Sequence, residues 1–152
     1  MRLAVYQPEI PGNLGALLRL SACLNVGVDI IEPCGFPFSD KALRRSAMDY
    51  IDAVDYQRHA DWAHFRANRP GRLVLMTTKG SESLFDVTFA PDDILLMGSE
   101  SAGVPDEVHA SADLRIRIPI RADCRSLNIS VAAGIALSEA LRQTRGFPDA
   151  DT

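Results

Sequence analysis

The chain has 152 residues, about the length of one domain, and is long enough to bury a substantial hydrophobic core. Hydrophobic residues make up 47% of it and charged residues 24%, a composition that excludes an intrinsically disordered chain. The net charge of −4 excludes a uniformly basic protein, so a nucleic-acid partner would require a local cluster of lysine and arginine.

Patterns typical of strands and helices alternate along the chain. Apolar runs predict strands over residues 2–7, 28–31, 52–57, 72–77, 93–97 and 114–118. Periodic segments predict helices over residues 13–25, 61–69, 105–110 and 128–144, and a short helix from Asp40. We predict Asn13, Asp40 and Asp61 as helix N-caps. The alternation predicts a single α/β domain over residues 1–152, with a mostly parallel sheet that binds ligands at the carboxyl ends of its strands.

The first and last predicted helices are apolar on nearly every face. The first reads NLGALLRLSACLN and the last NISVAAGIALSEALRQ. A helix that is apolar all round is normally buried on all sides, and one small sheet has difficulty burying two of them. We therefore favour a homodimer in which these helices meet, over the alternative that both simply belong to the core.

Arg19 is the only charged residue of the first helix. A buried arginine costs free energy unless its charge is paired, and the planar guanidinium suits a phosphate or a carboxylate. At this point two interpretations stay open, namely an ordinary ion pair with Glu9 or Glu100 and a phosphate-binding role.

The segment MGSESAGVPDEV, residues 97–108, directly follows a strongly apolar strand, and we call it the glycine turn. An ordinary surface turn needs only one or two small residues. A segment with Gly98, Gly103 and several other small residues is typical of backbone that approaches a ligand closely.

Three stretches of the chain resemble, in order and position, the three motifs of SPOUT-class 2'-O-methyltransferases. They are NLGALLR, MGSESAGVP and IPIRADCRSLNISVAAGIAL, and the resemblance extends over nearly the whole chain. It implies the α/β knot fold, a mostly parallel sheet flanked by helices with a C-terminal trefoil knot. In that fold the knotted loops bind S-adenosylmethionine, which is converted to S-adenosylhomocysteine.

Further stretches are similar to the minimal, single-domain TrmL/YibK-type enzymes. These include EIPGNLGALLRL, DKALRRSAMDY, TTKG and RIRIPI. Such enzymes are cytoplasmic homodimers that methylate the ribose 2'-OH of wobble nucleotide 34, cytidine or carboxymethylaminomethyluridine, in the anticodon stem-loop of leucine tRNAs. The LRRSAMDY stretch, residues 43–50, favours this subfamily over relatives that modify ribosomal RNA. Gly12 and Ser99 depart from the pattern, at positions where the family often has proline.

Two alternatives remain open at this stage. A related enzyme of the same class would act on another tRNA position or on ribosomal RNA. A non-enzymatic RNA-binding module is the other alternative, but intact Arg19, Ser126 and Asn128 speak against it.

The resemblance assigns cofactor contacts to three segments, namely the end of the strand near residue 76, the glycine turn, and residues 118–127. The implied contacts are Met76, Thr77, Gly98, Glu100, Gly103, Ile118, Ile120, Ser126 and Leu127. Glycines permit close approach of backbone, and the apolar side chains suit an adenine ring. Taken singly, Met76 and Ile118 would be core residues, and only the ordered set supports the site. Glu100 stays open between a contact to the ligand and a partner of Arg19.

Methyl transfer from a sulfonium to a hydroxyl depends on alignment of oxygen, methyl and sulfur, which contributes ~7–11 kcal/mol when well positioned. No metal is expected, since the chain lacks a metal-binding motif. The resemblance implies that Arg19 acts as the base together with the RNA phosphate, at the cofactor site of the other subunit. A guanidinium is a poor base because its pKa is very high, so we expect Arg19 instead to orient the phosphate and stabilise developing charge. Asn13, Ser126 and Asn128 are implied to hold the ribose or Arg19, although Asn13 and Asn128 also suit helix caps.

Basic residues outside the three motifs predict a local surface for RNA despite the negative net charge. They are Lys41, Arg44, Arg45, Lys79, Arg121 and Arg125. Each alone would be an ordinary solvated side chain, and for Arg121 that interpretation is favoured. We expect no DNA partner.

The cysteines and the hydropathy of the chain indicate its cellular compartment. Cys23, Cys34 and Cys124 are odd in number and form no CxxC pair, which speaks against a disulfide framework or a structural zinc site. No apolar run approaches the length of a membrane span, and the N-terminus lacks a signal-peptide core. We therefore expect a soluble, cytoplasmic protein without membrane association.

Overall fold

The computed structural model of the protein describes residues 1–150, so the last two residues of the predicted domain, 151 and 152, lie outside the described residues. The strands are β1 Arg2–Tyr6, β2 Gly27–Ile31, β3 Tyr56–His59, β4 Leu73–Met76, β5 Glu82–Ser83, β6 Ile94–Met97 and β7 Leu114–Arg117. The α-helices are α1 Pro11–Leu24, α2 Asp40–Ala47, α3 Trp62–Asn68, α4 Asp106–Ser111 and α5 Ile129–Thr144, and a 3₁₀ helix covers Met48–Ala53.

The strands form one sheet in the order β3-β2-β1-β6-β4-β7-β5, and every pairing between them is parallel. Side chains alternate along β1, so that Leu3 and Val5 join the core beneath α1 and α5 while Ala4 and Tyr6 join a second core beneath α3 and α4. The predicted α/β fold with a mostly parallel sheet and flanking helices is confirmed. The trefoil knot that the resemblance implies stays a prediction.

The largest difference between the predicted and the observed element boundaries is at one strand. The predicted strand over residues 52–57 is wrong at its start, because Met48–Ala53 form a 3₁₀ helix and β3 begins only at Tyr56. In that helix Ile51 is buried while Arg44 donates to both carboxylate oxygens of Asp52 at 2.8 and 2.9 Å. One buried residue and one local ion pair thus stabilise a helical turn where the short apolar alternation indicated a strand. The sequence pattern does not predict the two-residue strand β5.

Two of the predicted N-caps are also wrong. Helix α1 begins at Pro11, and its N-cap Ile10 has no side-chain hydrogen bond. Proline suits this first position because its missing N–H has no helical partner there. Helix α2 is capped by Ser39, whose hydroxyl accepts from the backbone N–H of Ala42 at 3.1 Å, and not by Asp40. The third prediction is confirmed, since the carboxylate of Asp61 accepts from His64 N at 2.8 Å.

A buried carboxylate ties together β1, β2, β3 and the end of α3. Asp29 is fully buried and accepts from Arg2 Nε at 2.6 Å, bonds with His59 Nε2 at 2.8 Å, and accepts from Arg69 Nε at 3.2 Å. Burial raises the pKa of Asp29, but the hydrogen bonds from Arg2, His59 and Arg69 outweigh it and leave the pKa below its ordinary value. The carboxylate is therefore ionised in the fold and compensates the charges around it.

The two apolar helices pack against each other but are not enclosed on all sides. A Cβ on Gly134 of α5 would lie 3.9 Å from Leu20 Cδ2 of α1. On the outer side of α5, Val131 is 51% exposed, beside Phe85, which is 60% exposed. Within residues 1–150, no helix combines the length and the hydropathy that a membrane crossing requires.

Candidate active site

The three segments singled out by the sequence leave the sheet side by side. Met76 at the end of β4 pairs with Met97 of β6 and with Ile116 of β7. The backbone N–H of Thr77 then donates to Ile116 O at 2.9 Å. Because these strands are parallel neighbours, the glycine turn and the loops after β4 and β7 all start from the same edge of the sheet. This edge is where parallel α/β sheets bind ligands.

The glycine turn closes on itself through a short antiparallel bridge. Ser99 N donates to Gly103 O at 2.9 Å, and Gly103 N donates to Ser99 O at 3.0 Å. A Cβ on Gly98 would lie 2.7 Å from the Cα and carbonyl carbon of Gly103, and Gly103 itself has φ +65°. Both glycines are therefore required by the turn itself, one by close backbone packing and the other by a left-handed conformation. This reason differs from the one that the sequence indicates, which is close approach of the backbone to a ligand.

Replacement of Gly98 by alanine is expected to weaken S-adenosylmethionine binding on the order of tenfold. The added methyl group meets backbone, which cannot rotate aside, so the turn must shift at a cost of about 1–3 kcal/mol. Isothermal titration calorimetry measures the affinity, and Gly12→Ala is the matched control because a Cβ there has no heavy atom within 4 Å. Equal affinity of both variants and the wild type would show that the cofactor does not contact this turn.

Glu100 fastens the glycine turn to the start of α1. Its carboxylate accepts from the backbone N–H groups of Glu9 at 2.8 Å and Ile10 at 3.2 Å, and from Asn13 Nδ2 at 3.4 Å. In return, the Glu9 carboxylate accepts from the hydroxyl of Ser101 at 2.6 Å, and this bond holds the pKa of Glu9 below its ordinary value. The Glu100 carboxylate thus satisfies the backbone N–H groups of the two residues that precede α1, and its negative charge is favourable at the N-terminus of that helix.

Asn13 joins this assembly to the start of α5. Its Oδ1 accepts from Asn128 Nδ2 at 3.1 Å, and its backbone carbonyl accepts from the Ser130 hydroxyl at 3.4 Å. Asn128 is also the N-cap of α5, since its Oδ1 accepts from Ser130 N at 2.9 Å. Asn13 is therefore not a helix cap but a bridge between the first and third motifs, while Asn128 is both a cap and part of the bridge.

The loop after β7 leaves polar and apolar groups free beside this bridge. Ile120 is 37% exposed and Leu127 38% exposed, whereas Ile118 is partly buried and Met76 is 8% exposed. The exposed Ser126 hydroxyl lies between Leu127 and Arg125 in the chain and has no partner within residues 1–150. Apolar side chains next to unpaired polar groups and backbone suit a nucleoside-type ligand, so these residues fit S-adenosylmethionine.

Arg19 lies on the surface of α1, and both ion pairs considered for it are wrong. Glu9 and Glu100 are occupied by the contacts described above, and Arg19 has no ion pair within residues 1–150. Its guanidinium instead lies over the ring of Tyr50, with Cζ 4.9 Å from the centroid, and its Nη1 is 3.9 Å from Met48 Sδ. Met48 and Tyr50 belong to the LRRSAMDY stretch, and no sequence pattern connects that stretch with Arg19.

Gly15 accounts for this proximity. A Cβ on Gly15 would lie 2.4 Å from Ser46 Cβ and 2.6 Å from Ser46 C, so only glycine lets α2 lie this close to α1. The close packing carries the 3₁₀ helix that follows α2 onto the same face of α1 as Arg19. The glycine in NLGALLR was the signal for this contact.

The basic residues predicted to bind RNA fall into two groups. Arg44 and Arg121 donate bidentately to Asp52 and Asp123, and the Arg44 hydrogen bond lowers the pKa of the Asp52 carboxyl. The exposed side chains without a hydrogen bond or ion pair among the described residues are Lys41, Arg45, Lys79 and Arg125. Lys41 and Arg45 share α2 with Arg44, close to Arg19 through the packing of α2 on α1.

Side chains suited to metal binding are dispersed. Within residues 1–150, no three His, Cys, Asp or Glu side chains are grouped as a metal site would require. Of the histidines, His59 is buried against Asp29, on the sheet face opposite α1 and α5.

Comparison with known proteins places the chain among RNA methyltransferases. Residues 1–138 match the model of the SpoU rRNA methylase family. A tRNA (cytidine(34)-2'-O)-methyltransferase from Beijerinckia indica subsp. indica is 58% identical over 144 residues, which cover 93% of this chain and 90% of that protein.

Solved structures have the same fold. One from work on the 2-OH methylation of C/U34 on tRNA has a TM-score of 0.89 and 40% identity, and the match covers 93% of this chain and 94% of that one. An AdoMet-bound rRNA methyltransferase from Sinorhizobium meliloti has a TM-score of 0.83 and 29% identity, over 93% of this chain and 55% of that one.

Proposed function

Because the chain belongs to the SpoU rRNA methylase family, we propose that it is an enzyme that methylates the ribose 2'-OH of nucleotide 34 in tRNA. The observation that carries this proposal is the 58% identity, along 93% of the chain, to a tRNA (cytidine(34)-2'-O)-methyltransferase. The methyl donor is S-adenosylmethionine, which is supported by the AdoMet-bound relative and by the fit of the three loops at one sheet edge.

In the proposed mechanism, bound S-adenosylmethionine supplies the electrophilic methyl group, and the protein supplies position and charge. The glycine turn and the loops after β4 and β7 hold the donor, with contacts at Met76, Thr77, Ile118, Ile120 and Leu127. No metal takes part. Excluding water and aligning the hydroxyl oxygen with the methyl group accounts for most of the rate enhancement.

Arg19 binds the RNA phosphate next to the reacting ribose. The side chain is exposed and carries a full positive charge that no carboxylate neutralises among the described residues. Charge that develops on the 2'-oxygen is stabilised by such a preorganised cation. The ribose is held by Asn13, Ser126 and Asn128. The hydrogen bond of 3.1 Å between the two asparagines fixes the start of α1 against the start of α5 and so positions these side chains.

We further propose a homodimer of single SPOUT domains with a trefoil knot, acting in the cytoplasm. The exposed Val131 and Phe85 lie next to each other on the outer side of α5 and support an interface there, because a contiguous exposed apolar patch is typical of an interaction surface. The substrate is the anticodon stem-loop of leucine tRNAs, with cytidine or carboxymethylaminomethyluridine at the wobble position. Arg19 of one subunit then serves the cofactor site of the other.

The competing function is 2'-O-methylation of another tRNA position or of ribosomal RNA. It is favoured by the rRNA methyltransferase from Sinorhizobium meliloti, but this chain covers only 55% of that protein. One experiment distinguishes the two. Purified protein and S-adenosylmethionine are incubated with total tRNA and with ribosomal RNA from a strain that lacks wobble ribose methylation, and each methylated nucleotide is mapped. The proposal requires methylation at nucleotide 34 of leucine tRNA, and methylation only elsewhere supports the alternative.

Removing the two unpaired cations of α2 together, as Lys41→Ala with Arg45→Ala, is expected to weaken tRNA binding and flatten its salt dependence. Each lost phosphate contact lowers the slope of log affinity against log salt by about 0.7–0.9, so the double variant loses about 1.5. Filter binding at several salt concentrations measures the slope. Arg121→Ala is the control, because Asp123 already neutralises that charge, and an unchanged slope in the double variant would place the RNA on another surface.

A further inference from the structure

The aromatic ring beneath Arg19 is a contact that the proposed mechanism does not yet use. Tyr50 is half-buried, and the guanidinium carbon of Arg19 lies 4.9 Å from its ring centroid. The sulfur of Met48 is 3.9 Å from Nη1 of the same guanidinium. Tyr50 and Met48 are the only side-chain partners of Arg19 within residues 1–150, and neither carries a charge.

An aromatic ring face leaves more of a guanidinium free to bind a ligand than a carboxylate does. A carboxylate would occupy the N–H donors and neutralise the cation, as Asp52 does for Arg44 eight residues away. An aromatic face attracts the cation through its quadrupole and leaves the N–H groups at the guanidinium edge free. The contact therefore restrains Arg19 and keeps both its charge and its donors for an anionic ligand.

The backbone around Tyr50 is held firmly enough for such a role. Gly15 allows α2 to pack directly against α1, and Ile51 next to Tyr50 is buried in the core. Met48, at the junction of α2 and the 3₁₀ helix, has φ 56° and ψ −141°, a conformation that a residue with a side chain rarely adopts. Strained residues of this kind persist where the surrounding structure over-determines them, and they cluster at functional sites.

We propose that Tyr50 is a positioning residue for the reaction, whose ring holds the Arg19 guanidinium in the orientation that receives the RNA phosphate. This inference rests on the proposed function, since it takes Arg19 to act on the substrate. Tyr50 itself touches neither the reacting atoms nor the cofactor. Tyr50 affects the reaction only by positioning Arg19.

The test compares Tyr50→Leu with Tyr50→Phe. Leucine removes the π face, and we expect the single-turnover methylation rate at saturating tRNA and cofactor to fall about fivefold, the size of an exposed cation–π contact. Phenylalanine keeps the face and is expected to retain the wild-type rate within about twofold. Cofactor affinity stays unchanged in both variants. An equal loss in both variants would mean that the hydroxyl acts, and no loss in either would mean that the ring is dispensable; both results overturn the proposal.

The dependence on Arg19 is tested in the Arg19→Ala background. If Tyr50 acts through Arg19, Tyr50→Leu adds no further loss there. A second fivefold loss in that background overturns the proposal, because Tyr50 would then act independently of Arg19.

A measurement without RNA separates this inference from the proposed function. The Arg19 side-chain protons should carry a ring-current shift in the NMR spectrum, which Tyr50→Leu removes and Tyr50→Phe preserves. If the shift is present but Tyr50→Leu methylates nucleotide 34 at the wild-type rate, the role of Tyr50 is overturned and the proposed function stands. If the wild type does not methylate nucleotide 34, the proposed function is wrong, whatever the NMR shift shows about the contact between Arg19 and Tyr50.

Discussion

Replacing Arg19 by alanine is expected to lower the rate of tRNA methylation on the order of 10²–10³-fold, as removal of one preorganised charge-stabilising donor does in other enzymes. The fold should persist, because Arg19 is exposed on α1, has no ion pair among residues 1–150, and is replaced by the best helix-forming residue. The affinity for S-adenosylmethionine should also persist, since Arg19 lies outside the glycine turn and the loops after β4 and β7.

Three measurements check this result together. Single-turnover kinetics give the loss in rate, calorimetry gives the cofactor affinity, and thermal unfolding gives the stability. Arg45→Ala is the matched control, an exposed and unpaired arginine on α2, and it should reduce tRNA affinity with little effect on the saturated rate. The assigned role is wrong if Arg19→Ala loses cofactor affinity or unfolds.

Replacing Asp29 by asparagine is expected to lower the free energy of unfolding by about 3 kcal/mol, near the lower end for breaking a buried ion pair. The carboxylate is fully buried and compensates Arg2, His59 and Arg69 at the meeting point of β1, β2 and β3. The loss stays near that lower end because Arg2 keeps a second partner, Asp55, at 2.7 Å. Against a typical stability of about 5–15 kcal/mol, this is a large fraction.

Urea unfolding at neutral pH measures this difference, and Asp52→Asn serves as the control because that ion pair with Arg44 lies on the surface and contributes little. The lowered pKa of Asp29 sets the pH dependence. Its stabilisation is complete above the unfolded aspartate pKa of about 3.9 and is lost as the pH falls through the lower folded value. The gap between wild type and Asp29→Asn should therefore close in strong acid. Equal effects of the two substitutions at neutral pH would show that the buried network is energetically no different from a surface pair.

Much of the candidate site could be predicted because it follows from local patterns. Apolar runs predict β4, β6 and β7, and with them a parallel sheet that binds ligands at the carboxyl ends of its strands. Asn128 as the cap of α5 and Asp61 as the cap of α3 followed in the same way, because capping depends on residues only two or three positions apart. The assignment of cofactor contacts to the three loops rests on the resemblance to the SPOUT class.

The partners of the polar side chains could not be predicted, because they are distant in sequence. Glu100 meets Ile10 across 90 positions, and Asn13 meets Asn128 across 115. Hydropathy and periodicity predict which face of an element is buried, but they do not predict which of many possible donors binds a given carboxylate. For this reason Arg19 was matched with Glu9 and Glu100, which instead bind the start of α1 and the glycine turn.

The sequence by itself therefore determined the parallel α/β architecture and the order of the motifs, since these depend on periodicity and chain order. The site that the motifs form was implied by the resemblance. Only the tertiary structure decided what each residue does there. Gly98 and Gly103 are glycines because the turn folds onto itself, and Gly15 is glycine because Ser46 lies against it. Arg19 remains a free cation because the packing of α2 on α1 brings it the ring of Tyr50 and no carboxylate.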